Sequence, residues 1–119
     1  MSQQTLCTQP EVQACCVEAD TVVYQLRIPV ELSYFAGHFP IAPILPGVVQ
    51  IEWAEQLARR HWHWVTGFRK LEQLKFQAVL RPGDCVQLRL SFQPESTRLL
   101  FSYESAVGRH SSGRLDFSA

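Results

Sequence analysis

The chain has 119 residues, enough to close one hydrophobic core and too few for two. Apolar residues make up 46% and charged residues 18%, which leaves apolar surface for a partner subunit, and 11 basic side chains against 11 acidic ones set up no global positive field to draw in nucleic acid. No window nears the roughly 20 apolar residues of a membrane span, and Met-Ser-Gln-Gln-Thr at the start lacks the runs of a signal peptide, so the expected location is cytoplasmic.

Residues 1–20 mix Gln, Thr, Glu and Cys without a clear period and read as a tail or edge element ahead of a single domain over 21–119. Cys7, Cys15, Cys16 and Cys85 lack paired C-x-x-C spacing and are expected as reduced thiols. From Val22 onward Val22, Tyr24, Leu26 and Ile28 alternate with Val23, Gln25 and Arg27, the period of a half-buried strand. Pro40, Pro43 and Pro46 follow at intervals of three and stiffen residues 34–47 into an extended path.

Pro46 suits a first helical turn, and good helix formers without a breaker predict a helix over about 46–64. Its first half, with Val48, Val49, Ile51, Trp53 and Ala54, is apolar nearly all round and is expected to be wrapped by protein, whereas Arg59, Arg60, His61 and His63 should face water. Strands are then predicted over about 68–80, with a bulge between Leu71 and Leu74, over 86–92, over 99–103 and over about 111–117. Turns at 81–84 and 94–97 separate them. The order is that of an antiparallel sheet curled around one central helix, an α+β fold.

Three features carry chemistry. His38 stands in Gly37-His38-Phe39-Pro40, on backbone with little freedom, as a general base requires, although a loop histidine is more often structural. Glu52 lies among apolar neighbours, and burial would raise its pKa and make it a proton donor; the alternative is that its face meets water or a structural hydrogen bond. Gln56, four residues on, shares that face. At Gly47 the free N–H groups of a helix start offer an oxyanion site, and Glu52 is roughly 7.5 Å further along the axis.

The segment Gly37-His38-Phe39-Pro40-Ile41-Ala42-Pro43-Ile44-Leu45-Pro46-Gly47-Val48-Val49-Gln50-Ile51-Glu52 resembles the signature of the FabA/FabZ-type 3-hydroxyacyl-acyl-carrier-protein dehydratases. Lys75-Phe76 and Pro82-Gly83-Asp84 resemble that family's second block, so the likeness runs over about residues 22–117. It implies a hotdog fold and a homodimer or larger homo-oligomer with shared active sites, the acid of one subunit meeting the histidine of the other. It also implies a carrier-protein-bound substrate and no cofactor or metal.

By the same resemblance His38 removes the α-proton of a 3-hydroxyacyl thioester, Gly47 polarises its carbonyl, and Glu52, supported by Gln56, helps the β-hydroxyl leave. Phe39, Val48 and Trp53 are candidate walls for the acyl chain, with core packing as their default role. The chain departs from the pattern in lacking the Pro-His-Arg-like amino-terminal block and in carrying Gln77 and Ala78 where two arginines are usual. Arg59, Arg60, Arg69, Lys70, Lys75 and Arg81 offer a different basic patch, or a solvated face. The departures point to a specialised lipid or polyketide-like pathway.

His61-Trp62-His63-Trp64 is not read as a metal chelator, because helical residues two apart face different ways, and Trp62 and Trp64 are expected to pack the helix end or an oligomer contact. Two rival functions share the fold: a thioesterase in which Glu52 directs water, and a non-catalytic dehydratase-like partner subunit.

Overall fold

A computed structural model describes residues 7–32, 44–63 and 68–118, and the structural statements below concern these. Strands β1 (Glu11–Glu18), β2 (Thr21–Arg27), β3 (Phe68–Phe76), β4 (Cys85–Gln93), β5 (Arg98–Ser105) and β6 (Gly108–Ser118) and the helix α1 (Gly47–Ala58) follow the chain, with α1 between β2 and β3. These strands pair antiparallel throughout, in the order β1-β2-β4-β5-β6-β3.

The predicted alternation sets the inner face. Val22, Tyr24 and Leu26 of β2, Val86, Leu88, Leu90 and Phe92 of β4, Leu99, Phe101 and Tyr103 of β5, and Leu115 and Phe117 of β6 are all buried. Burying a large apolar side chain contributes about 1.5–3 kcal/mol, so this face drives the sheet to curl over α1. The Tyr103 hydroxyl donates to the Gln50 carbonyl at 2.7 Å, and Trp62 stacks on Phe92, tying β4 and β5 to the helix and its exit. At the amino-terminal side the Trp53 indole N–H donates to the Thr8 carbonyl at 2.9 Å.

Several expectations need correction. The helix ends at Ala58, not near residue 64, because Arg60 and His61 donate to Leu57 and Ala58 in tightened bonds three residues back. That turn carries Trp62 onto Phe92 and His61 to the Tyr24 hydroxyl, 2.6 Å from its Nε2, so His61 is half-buried. Trp64 lies outside the described residues. The third strand stops at Phe76 rather than 80, since the N–H groups of Gln77 and Ala78 both turn to the His110 carbonyl.

The bulge falls where the phase slip predicts it, with the register shifting between Glu72 and Lys75 and Gln73 at φ 54°. It tucks Leu74 over Gly113, where an added Cβ would come within 2.4 Å of the leucine. The final strand is longer than predicted because a turn at 106–107 starts it at Gly108.

Candidate active site

Pro46 occupies the N-cap in extended geometry, and its carbonyl receives the N–H groups of Val49 and Gln50 at 3.1 and 3.3 Å. The N–H groups of Gly47 and Val48 therefore stand ahead of the helical ladder, at the positive end of the α1 dipole. Gly47 lines a cavity of about 380 Å³, one wall of which is residues 44–47 with Gln50 and the other Phe76 and residues 77–79. A Cβ at position 47 would lie 2.7 Å from the Phe76 ring, so any side chain there has to displace that ring.

The remaining predicted site residues divide. His38 and Phe39 lie outside the described residues. Glu52 was expected among buried neighbours; in the single chain it is exposed, one turn beyond Val48, which is 67% exposed, and Gln56 is half-buried on the same side. The all-round apolar reading of the first half failed there because Val49, Gln50, Trp53, Ala54, Leu57 and Ala58 take the core side and leave positions 48, 52 and 59 outward. Trp53 is 1% exposed, belongs to the main core, and does not line the Gly47 cavity.

The buried carboxylate of the helix is Glu55. Arg69 of β3 reaches it at 2.8 Å and Arg59 pairs with it one turn on, so two members of the predicted basic patch serve a structural ion pair. The i, i+4 spacing of Glu55 and Arg59 was visible in the sequence; the partner on β3 was not. Lys70, also in that patch, pairs with Glu72 at 2.9 Å.

Sequence reasoning also missed a polar cluster behind the cavity. Gln50, 3% exposed, accepts from the Ser111 hydroxyl at 2.6 Å and donates to the Leu45 carbonyl at 3.2 Å. His110, 5% exposed, donates from Nδ1 to the Val79 carbonyl at 3.1 Å, and its Nε2 meets the Ser105 hydroxyl at 2.6 Å. Burial holds the Tyr103 phenol far above its usual pKa, so it acts as a permanent donor to the helix. His61 is held below the ordinary imidazole value, first by burial and then by Arg60.

Among the described residues no group of three or more His, Cys, Asp and Glu is placed to hold a metal ion, and no helix is long and apolar enough to cross a membrane. A second cavity, about 560 Å³, lies on the outer sheet face, with Lys75, Arg89, Arg109 and Arg114 among its walls. Arg109 and Arg114 are engaged by Glu104 and Asp116.

A six-stranded antiparallel sheet with one helix laid in it is the architecture of the hotdog class. Among solved structures, a chain of the dehydratase heterocomplex ApeI:P from Xenorhabdus doucetiae is similar at TM-score 0.83 and 30% identity, covering 91% of this chain and 96% of that one. An uncharacterized protein from Erwinia carotovora subsp. atroseptica is similar at TM-score 0.77 and 29% identity, covering 90% and 94%. Residues 14–114 match the family model described as ApeI-like, ApeI dehydratase, and the chain belongs to that family. The 3-hydroxyacyl-[acyl-carrier-protein] dehydratase FabZ of Chlamydia pneumoniae is 30% identical over 91 residues, 69% of this chain; the chain spans 60% of the length of that relative.

Proposed function

We propose that the chain dehydrates 3-hydroxyacyl thioesters, carried on an acyl carrier protein, to trans-2-enoyl thioesters in the cytoplasm, within fatty-acid or specialised lipid or polyene synthesis. The observation that carries this reading is the start of α1: the amides of Gly47 and Val48 ahead of the helical ladder, an apolar-walled cavity beside them, and Glu52 further along the same helix. An α-C–H is a weak acid until its carbonyl is polarised, and a donor aimed at the developing oxyanion lowers the barrier by about 3 kcal/mol. Gly47 supplies that donor, His38 takes the α-proton, and Glu52, oriented by Gln56, protonates the departing β-hydroxyl. Phe39 and Val48 flank the acyl chain.

The reading requires a second subunit. Glu52 and Val48 are exposed in one chain, and Ile44, Leu71, Phe76 and Val79 add further exposed apolar surface around the cavity and along β3, an edge strand. An unprotected edge beside apolar surface favours pairing with another chain, and a homodimer joined there would cover Glu52 and bring a histidine from the partner. For the carrier, Lys75 and Arg89 on the outer face supply positive charge in place of the arginines that Gln77 and Ala78 displace.

The test is to incubate the protein with a 3-hydroxyacyl thioester and follow enoyl absorbance against free thiol. Enoyl product without thiol release is expected; thiol release without enoyl product would assign a thioesterase instead. The similar Xenorhabdus chain comes from a heterocomplex, which favours a second reading in which this chain works beside a different dehydratase-like chain. Activity that appears only when such a chain is added would select that reading.

A further inference from the structure

We propose that the consecutive residues His110 and Ser111 of β6 are a positioning pair that fixes the width of the Gly47 cavity and so the length of acyl chain it accepts. The inference rests on the acyl-thioester reading above. The two cavity walls meet where the Leu45 N–H donates to the Leu80 carbonyl at 2.7 Å. Beyond that joint, residues 77–79 have left the sheet and are exposed, so the sheet ladder no longer dictates their position.

His110 holds this wall at three points. Its carbonyl receives the N–H groups of Gln77 and Ala78 at 2.8 and 3.1 Å, and its Nδ1–H donates to the Val79 carbonyl. That last bond places the ring proton on Nδ1, leaving Nε2 to accept the Ser105 hydroxyl, which locks the ring plane. Ser111 holds the opposite wall through Gln50, whose amide reaches the Leu45 carbonyl. Because the two holds are adjacent on one strand, a single peptide unit sets the separation of the walls. Both residues are buried, and buried polar groups satisfied at every atom rigidify what they join.

The experiment compares His110→Leu, which removes the ring's bonds, with His110→Asn, whose side-chain amide keeps a donor near the Nδ1 position. Each is tested for binding of S-butyl and S-decyl pantetheine thioethers by calorimetry, and for kcat/KM on the matching 3-hydroxyacyl pantetheine thioesters, after thermal melts confirm folding. Pocket contacts worth one methylene change discrimination about tenfold or more, so His110→Leu should shift the butyl-to-decyl affinity ratio by at least about fivefold while His110→Asn stays within about twofold of wild type. A ratio unchanged in His110→Leu despite a lower Tm, thioethers that do not bind, or an Asn variant that behaves like Leu would overturn the assignment. The binding ratio decides it independently of turnover: discrimination in a wild-type protein that never forms enoyl product would sink the dehydratase reading and leave this one standing.

Discussion

The ring of Phe76 occupies the space that a side chain at Gly47 would need, with its Cε1 only 2.7 Å from the position of an added Cβ. The start of the helix and the end of β3 are thus fitted to each other, and the fit stands at the cavity mouth.

Gly47→Ala is expected to cost more in activity than in stability. Alanine favours a helix over glycine by up to about 1 kcal/mol, and Phe76, which is 52% exposed, has room to swing away. The methyl group nevertheless crowds the amide that would receive the thioester oxygen, so kcat should fall about a hundredfold while Tm moves little. Adding Phe76→Ala should relieve the crowding of the ring without restoring turnover.

His38→Ala and Glu52→Gln should each reduce dehydration by about a hundredfold to ten-thousandfold, the usual range for a lost proton-transfer group. Glu52 is exposed in the single chain, so its substitution should leave the stability of the chain within about 0.5 kcal/mol. Steady-state kinetics and urea unfolding on the same preparations check both halves, and full activity in either variant would remove the assigned role.

Glu55 behaves in the opposite way. It joins α1 to β3 through Arg69, with its side chain 11% exposed against 37% for the arginine and 50% for Arg59. Glu55→Gln should destabilise by about 1–2 kcal/mol, below the 3–5 of a fully buried broken pair because the guanidinium groups keep water. Thermal melts should show a Tm several degrees lower, with kcat changed far less than in Glu52→Gln.

Stability should also decline as the pH is lowered below the ordinary imidazole range. His61 takes up a proton less readily when folded, owing to burial and then Arg60, whereas the unfolded side chain does so near pH 6.5. Below that value the unfolded state holds more protons, so the contribution of His61 is complete above it and is lost as the pH falls toward the depressed folded value. Urea midpoints at pH 7.5 and 5 measure the loss, and His61→Gln should flatten it.

Strands β2, β4 and β5 were legible because each buries one face, so that Val86, Leu88, Leu90 and Phe92 announce themselves by alternation, and even the slip at Leu74 shows as a broken period, whereas β1, exposed along its whole length, shows none. The helix end was not legible, since nothing in His61-Trp62-His63 forbids helix; the pull of Phe92 and Tyr24 decides it. On α1 the sequence marked the helix start and left Glu52 between a buried and a solvent-facing place, but it did not point to Glu55, which finds a counter-ion on a strand fourteen residues away. Gln50, His110 and Ser111 carry no pattern at all: a glutamine in a helix and a histidine beside a serine in a strand look like surface until the fold closes over them.

The crossing of Leu74 over Gly113 has an evolutionary consequence. Any side chain at position 113 would meet the leucine and the ring of Phe101, so a substitution there requires both neighbours to give way. Position 113 is therefore tied in its drift to two positions distant in the chain, and a lineage with smaller residues there keeps open a route that the present sequence narrows.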